Sequence, residues 1–184
     1  FLSGERVAVL NLDDSYLSPL LPRVRGRLLT FGVGPGADVR AERARVQRDG
    51  RTFFTLCAGR RKRPVRLNVP GRLNVSNALA AAAVGTALGL DLDAIAAGLE
   101  RAPAAPMRMQ KVLHPSGAVI INDAYNANPT SMAAALETFF HMSKGAEAIV
   151  VLGDMLELGS VSEAAHRSVG ALVARRRPAH LITL

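Results

Sequence analysis

Ile149-Val150-Val151-Leu152-Gly153-Asp154-Met155-Leu156-Glu157-Leu158-Gly159 is the stretch that decides the fold. Four apolar residues of strand type run into a glycine-bracketed acidic turn, and Ser162 to Arg175 follows with helical spacing. The same order occurs once before. Val119 to Ile121 reads as a strand, Asn122 to Asn128 as a polar loop, and Ser131 to Met142 as a helix. Leu181 to Leu184 opens a third strand. Strands and helices that alternate in this way predict a parallel, doubly wound α/β sheet. Ligands of such sheets bind beyond the carboxyl ends of the strands. That rule puts 122–128 and 153–159 at the working edge.

Upstream the rhythm differs. Arg6 to Leu10, Arg27 to Phe31, Val39 to Gln47, Thr52 to Leu56 and Val65 to Val69 read as strands. Asp49-Gly50 between two of them is a short-range hairpin signal. After Pro70-Gly71 the chain turns alanine-rich, with a helix predicted from Asn74 to Leu88, Gly89 as its C-cap, and a shorter helix from Asp91 to Leu99. Ala102 to Pro106, with two prolines, reads as a linker. Two domains follow from this reading, 1–103 and 104–184.

The chain has 184 residues, of which 49% are hydrophobic and 21% charged, so it can bury a core and is not of disordered type. A single cysteine, Cys57, excludes a disulfide framework and a multi-cysteine zinc site. No run of 18 apolar residues predicts a membrane span. Phe1 to Arg6 has no signal-peptide pattern. With no initiator methionine and an apolar run at Leu184, both ends read as cut, and the chain as a fragment.

Net charge is +8. Eleven Arg or Lys fall between Arg40 and Arg72 against Glu42 and Asp49, densest at Arg60 to Arg63, which reads as a hairpin turn. Aromatic residues make up only 4% of the chain and do not interleave with these arginines, as a single-strand stacking platform requires. A solvated basic face is the favoured reading, and a nucleic-acid-binding module is its rival from another class.

Gly32-Val33-Gly34-Pro35-Gly36 leads into a strand and not a helix, so it reads as a turn and not a phosphate loop. No GxxxxGK[ST] occurs. Asn122-Asp123-Ala124-Tyr125-Asn126-Ala127-Asn128-Pro129 carries more polar groups than a helix cap needs, since one or two suffice. The surplus suits a ligand: a carboxylate binds a ribose hydroxyl, an aromatic ring stacks on a base, amides read a base edge. Asp154 and Glu157 suit a cationic amine or a metal, or equally a turn and a cap near Ser160 or Ser162. Asn74 and Ser76 read as caps, with Asn77 able to share a polar face with Asn74. His114, His141, His166 and His180 share no ligand spacing and read as surface or capping residues.

In their order these motifs resemble the ATP-dependent Mur ligases. The resemblance is carried by Leu10-Asn11-Leu12-Asp13-Asp14, Pro70 to Ala81, Asn122 to Pro129 and Gly153 to Gly159. Tyr-Asn-Ala-Asn and Gly-Asp-Met-x-Glu-Leu-Gly favour the branch that adds D-alanyl-D-alanine. The resemblance implies that 1–103 is the C-terminal part of a central ATP-binding domain. It implies that 104–184 is the N-terminal part of a Rossmann-like C-terminal ligase domain. It implies a cytoplasmic enzyme of peptidoglycan synthesis that uses ATP and Mg2+ and joins D-alanyl-D-alanine to UDP-N-acetylmuramoyl-tripeptide through an acyl phosphate.

By matching position, Asn74 and Asn77 would lie at the adenine, Arg108 near the phosphates, Asp123 at the ribose, and Tyr125 and Asn126 beside the nucleotide or the incoming dipeptide. Asn128, Asp154 and Glu157 would serve substrate. The family's phosphate loop and metal ligands would lie upstream of Phe1, so these 184 residues alone are expected to be inactive, with no catalytic or metal-binding residue of their own. Two positions depart from the family: Leu73 stands where it usually has His, and Met107 where it usually has Gly. Either change could weaken ATP binding. A sister ligase, a folate-polyglutamating enzyme and a non-catalytic nucleotide-binding remnant are the neighbouring readings.

Overall fold

A computed structural model describes residues 6–184. The opening Phe1 to Glu5, part of the stretch read as lacking a leader, lies outside the described residues. The chain divides into two compact units, one of residues 1–45, 51–68 and 72–103, the other of residues 46–50, 69–71 and 104–184.

In the first unit five strands, β1 (Val7–Asn11), β2 (Arg27–Gly32), β3 (Val39–Val46), β4 (Thr52–Ala58) and β5 (Arg61–Leu67), form one sheet in chain order. β1 and β2 pair in parallel, Val7 opposite Arg27, while β4 and β5 form an antiparallel hairpin. The hairpin closes through Gly59-Arg60, with Ala58 opposite Arg61. Thus β5 begins at Arg61 and not at Val65, and Arg61 to Arg63 lie on a strand instead of in the turn. Their charge does not break the strand because acids meet it. Arg61 pairs with Asp91 at 2.5 Å and Asp93 at 3.3 Å, Arg63 pairs with Asp93, and Lys62 reaches Glu42 at 2.8 Å. Hydrogen bonds from Lys62 and Cys57 hold the Glu42 carboxyl below its usual range.

Helix α1 (Arg72–Ala87) packs on β1, β2 and β4. Its buried face is Val75, Ala78, Leu79, Ala82 and Ala83, mostly small side chains that let the helix lie close to the sheet. The helix starts two residues before Asn74, so Asn74 and Ser76 are inside it and are not its caps. The C-terminus follows expectation. Leu90 N–H donates to Gly85 O and Gly89 N–H to Thr86 O, both at 3.0 Å, with Gly89 at φ +77°. These are the paired bonds of a Schellman cap, for which glycine is the usual residue. Helix α2 (Leu92–Arg101) is capped by Asp91, which accepts from Asp93 N at 2.9 Å.

The glycine-rich turn after β2 is filled from within. Asp13 accepts from Val33 N at 2.6 Å and from Gly34 N at 3.0 Å. A Cβ at Gly32 would stand 2.8 Å from the Asp13 carboxylate. The amides that invite a phosphate reading already hold an anion, and Asp13 has a role beyond ending a strand.

The second unit contains β6 (Gln110–Leu113), β7 (Val119–Asn122), α3 (Pro129–Met142), β8 (Ile149–Leu152), α4 (Ser162–Arg176) and β9 (His180–Thr183). β8 and β9 pair in parallel around α4, Ile149 opposite His180, as the alternation predicts. β7 corrects the expectation of one parallel sheet: it pairs antiparallel with β6, a strand not read from the sequence. The core is Leu136 of α3, Val150 of β8, Met155, and Val169 and Val173 of α4. No helix among the described residues is long and apolar enough to cross a membrane.

Candidate functional site

The loop after β7 and the segment before β6 are stitched together. Met109 N–H donates to Asp123 Oδ1 at 2.8 Å, and Tyr125 N–H donates to Met107 O at 3.1 Å. Between these two bonds the Arg108 guanidinium carbon sits 4.0 Å above the centre of the Tyr125 ring. Met107 and Met109 both have left-handed backbones, φ +56° and +49°. That pair of bends projects the residue between them, Arg108, onto the ring. The β6–β7 hairpin thus brings Arg108, Asp123 and Tyr125, three of the residues singled out from sequence, into one cluster.

Asp123 is half-buried. Burial pushes its carboxyl above the usual range, against the opposing pull of the Met109 amide and the Arg108 charge. Tyr125 is 63% exposed, so one side of a large aromatic ring remains open to solvent. A carboxylate, a guanidinium and an exposed ring are the groups that bind ribose hydroxyls, phosphate oxygens and a flat base.

The asparagines around this cluster serve the backbone more than the count of polar groups suggested. Asn122 Oδ1 accepts from Ala124 N at 3.1 Å, and Asn126 Oδ1 from Ala127 N at 2.8 Å. Asn128 caps α3 in a capping box with Ser131, accepting from Ser131 N at 2.9 Å and donating to Ser131 Oγ at 3.2 Å. Asp123 and Tyr125 are what remains of the surplus.

In the first unit Asn74 and Asn77 occupy consecutive positions on one face of α1. Asn77 Nδ2 lies 3.5 Å from Asn74 Oδ1, and Asn77 is exposed. Leu73 beside them is 43% exposed and contributes no polar group.

Beyond β8, Asp154 and Glu157 are exposed on either side of Met155, which is buried in the core. Asp154, Met155, Leu156, Ser162, Glu163, His166 and Arg167 line an open cleft of about 550 Å3. His166, read from sequence as a surface or capping residue, ties this loop to α4. Its Nε2 accepts from Met155 N at 3.0 Å and its Nδ1 faces Ser162 O at 2.8 Å. Nothing in the local sequence marks His166, because the contact spans eleven residues. Strand β6 had a weak signal: Ser116-Gly117 between two short apolar runs is a hairpin pattern, but only Val112 and Leu113 of β6 are apolar. Among the described residues no group of three or more His, Cys, Asp or Glu is placed to hold a metal ion.

The chain belongs to the Mur ligase family. Residues 1–85 match the model described as Mur ligase middle domain, and residues 107–184 that described as Mur ligase, glutamate ligase domain. The UDP-N-acetylmuramoyl-tripeptide–D-alanyl-D-alanine ligase of Escherichia coli is 41% identical over 168 residues, covering 89% of this chain and 36% of that protein. A UDP-N-acetylmuramate–L-alanine ligase from Laribacter hongkongensis is 40% identical over 137 residues, covering 70% of this chain and 29% of that protein. Among solved structures, MurF from Acinetobacter baumannii superposes with a TM-score of 0.86 at 31% identity, over 96% of this chain and 38% of that one. MurF ligase from Thermotoga maritima in complex with ADP gives a TM-score of 0.78 at 26% identity, over 91% of this chain and 38% of that one. The chain therefore spans little more than a third of the length of the relatives it matches most fully.

Proposed function

We propose that these residues are part of an ATP-dependent, cytoplasmic ligase that joins D-alanyl-D-alanine to UDP-N-acetylmuramoyl-tripeptide. In this reading 1–103 is the later part of the central domain, and 104–184 the opening of the C-terminal domain. The observation that carries it is the Arg108–Tyr125–Asp123 cluster, whose groups are those a nucleotide requires. ATP, when bound, supplies the phosphoryl group that activates the acceptor carboxylate.

This chain's part is binding and orientation. Asp123 accepts from ribose hydroxyls, Arg108 meets phosphate oxygens, and the open face of Tyr125, with Asn126 beside it, flanks the nucleotide or the incoming dipeptide. Asn74 and Asn77 present amides to the adenine edge. Asn128, Asp154 and Glu157 face substrate, and an exposed carboxylate suits the ammonium of a dipeptide before it loses its proton to attack. Acyl transfer of this kind depends more on positioning and charge than on a protein nucleophile. The described residues offer no acidic cluster for Mg2+, so no metal-dependent step is assigned to them.

A sister activity, addition of L-alanine, is the second reading, supported by the 40% identity to that ligase. Phosphate release by the protein that carries these residues, in the presence of each candidate amine, separates the two. D-alanyl-D-alanine alone drives it in the proposed reading, and L-alanine doing so overturns it. The ion pairing of Arg61, Lys62 and Arg63 with Glu42, Asp91 and Asp93 favours a structural role for the basic run over nucleic-acid binding.

A further inference from the structure

We infer that His166 is a positioning residue: its neutral imidazole, protonated on Nδ1, fixes the loop that carries Asp154 and Glu157. The donor and acceptor identities dictate the tautomer. Ser162 O, 2.8 Å from Nδ1, can only accept, so Nδ1 carries the hydrogen. Met155 N–H, 3.0 Å from Nε2, can only donate, so Nε2 presents its lone pair. The Ser162 hydroxyl lies 3.4 Å from Nδ1 and adds no competing requirement, because a hydroxyl can accept there as well. The ring thus joins the first turn of α4 to the loop beyond β8, at Met155, the residue that follows Asp154.

Only the neutral ring can do this. A second proton on Nε2 removes the acceptor for Met155 N–H. Asp154 Oδ1 lies 3.7 Å from that nitrogen, on a side chain that is 76% exposed, and can accept the proton's hydrogen bond. In the neutral state Asp154 and His166 are therefore not an ion pair, and Asp154 is left pointing to solvent. The other charged groups lining the cleft, Glu163 and Arg167 of α4, are paired with each other at 2.7 Å. Protonation thus exchanges a loop amide for Asp154 and draws one of the two carboxylates toward α4. The positioning stands on this geometry, and its bearing on ligation rests on the reading of Asp154 and Glu157 as substrate-facing groups.

Nitrogen-resolved imidazole NMR and amide hydrogen exchange on the 184-residue chain test it, with His166→Gln and His166→Ala for comparison. Glutamine offers an acceptor near the Nε2 position and does not titrate. The wild type is expected to show the Nδ1–H tautomer. Its Met155 protection factor falls about tenfold as the ring protonates, the weight of one ordinary hydrogen bond. His166→Gln keeps that protection at every pH, and His166→Ala lacks it throughout. An Nε2–H tautomer, a wild-type protection factor that ignores the ring's titration, or loss of protection in the glutamine variant overturns the inference. In the whole ligase, KM for the dipeptide rises in His166→Ala and returns in His166→Gln. An unchanged KM beside the expected NMR result overturns the substrate reading of the loop and not the positioning.

Discussion

Replacing Met107 by glycine should leave the protein more stable than replacing it by alanine, the reverse of the order those residues show in an ordinary helix or strand. At φ +56° an L-residue places its Cβ against the neighbouring carbonyl, which costs about 1–2 kcal/mol. Glycine avoids that cost. It also makes the unfolded chain more flexible, which returns about 0.4–1 kcal/mol. Both variants remove the same thioether, so its loss cancels in the comparison. The net expectation is an advantage for glycine of about 0.5–1 kcal/mol, or roughly 0.5 M in the urea midpoint.

Met109 supplies the control. Its φ is also positive, at +49°, but its side chain is only 8% exposed against 40% for Met107. Both substitutions at 109 should therefore lose about 2 kcal/mol or more from the core, with glycine still above alanine. Urea unfolding followed by circular dichroism reads all four variants. Alanine equal to or above glycine at position 107 would refute the reasoning, because the backbone strain would then be absent.

Three further outcomes follow from the same geometry. Tyr125→Phe should retain nucleotide affinity, and Tyr125→Leu should lose about two- to fivefold, since the ring's attraction for the Arg108 cation is worth about 0.5–1 kcal/mol at an exposed site; calorimetric titration with ATP reads it, and equal affinities contradict it. Asp123→Asn should raise stability at neutral pH while weakening nucleotide binding. A carboxyl held above its usual value disfavours the fold once pH exceeds that raised value, and the handicap disappears as pH falls through the ordinary carboxylate range; a stability gap that widens in acid would count against this. Asn128→Ala should cost about 1 kcal/mol through loss of the α3 cap, lowering the melting temperature by about 2–4 °C, with Asn128→Ser restoring it. Recovery of stability by serine without recovery of ligation would assign Asn128 a contact to substrate as well.

Several elements were legible from local pattern because their cause is local. Gly89 ends α1 where the repeat of apolar residues stops, Asp91 opens α2, and β8, α4 and β9 follow one another as strand, helix and strand. The candidate loops were legible for the same reason: Asp123, Tyr125, Asp154 and Glu157 stand directly after apolar runs, and a polar segment there has to lie at a strand's end. The Mur ligase order of motifs was likewise readable along the chain.

What tertiary structure alone decided is which of those polar groups meet. β6, Gln110–Leu113, is half polar and so carries no apolar run to announce it, yet its pairing with β7 is what sets Arg108 over Tyr125 and the Met109 amide on Asp123. Asp13 lies nineteen residues before the glycine turn that it fills, and His166 reaches back across a loop to Met155. Hydrogen bonds between residues distant along the chain follow from where the packed elements place donors and acceptors. Periodicity reports which face of an element is apolar, and it has no term for the partner on the other side.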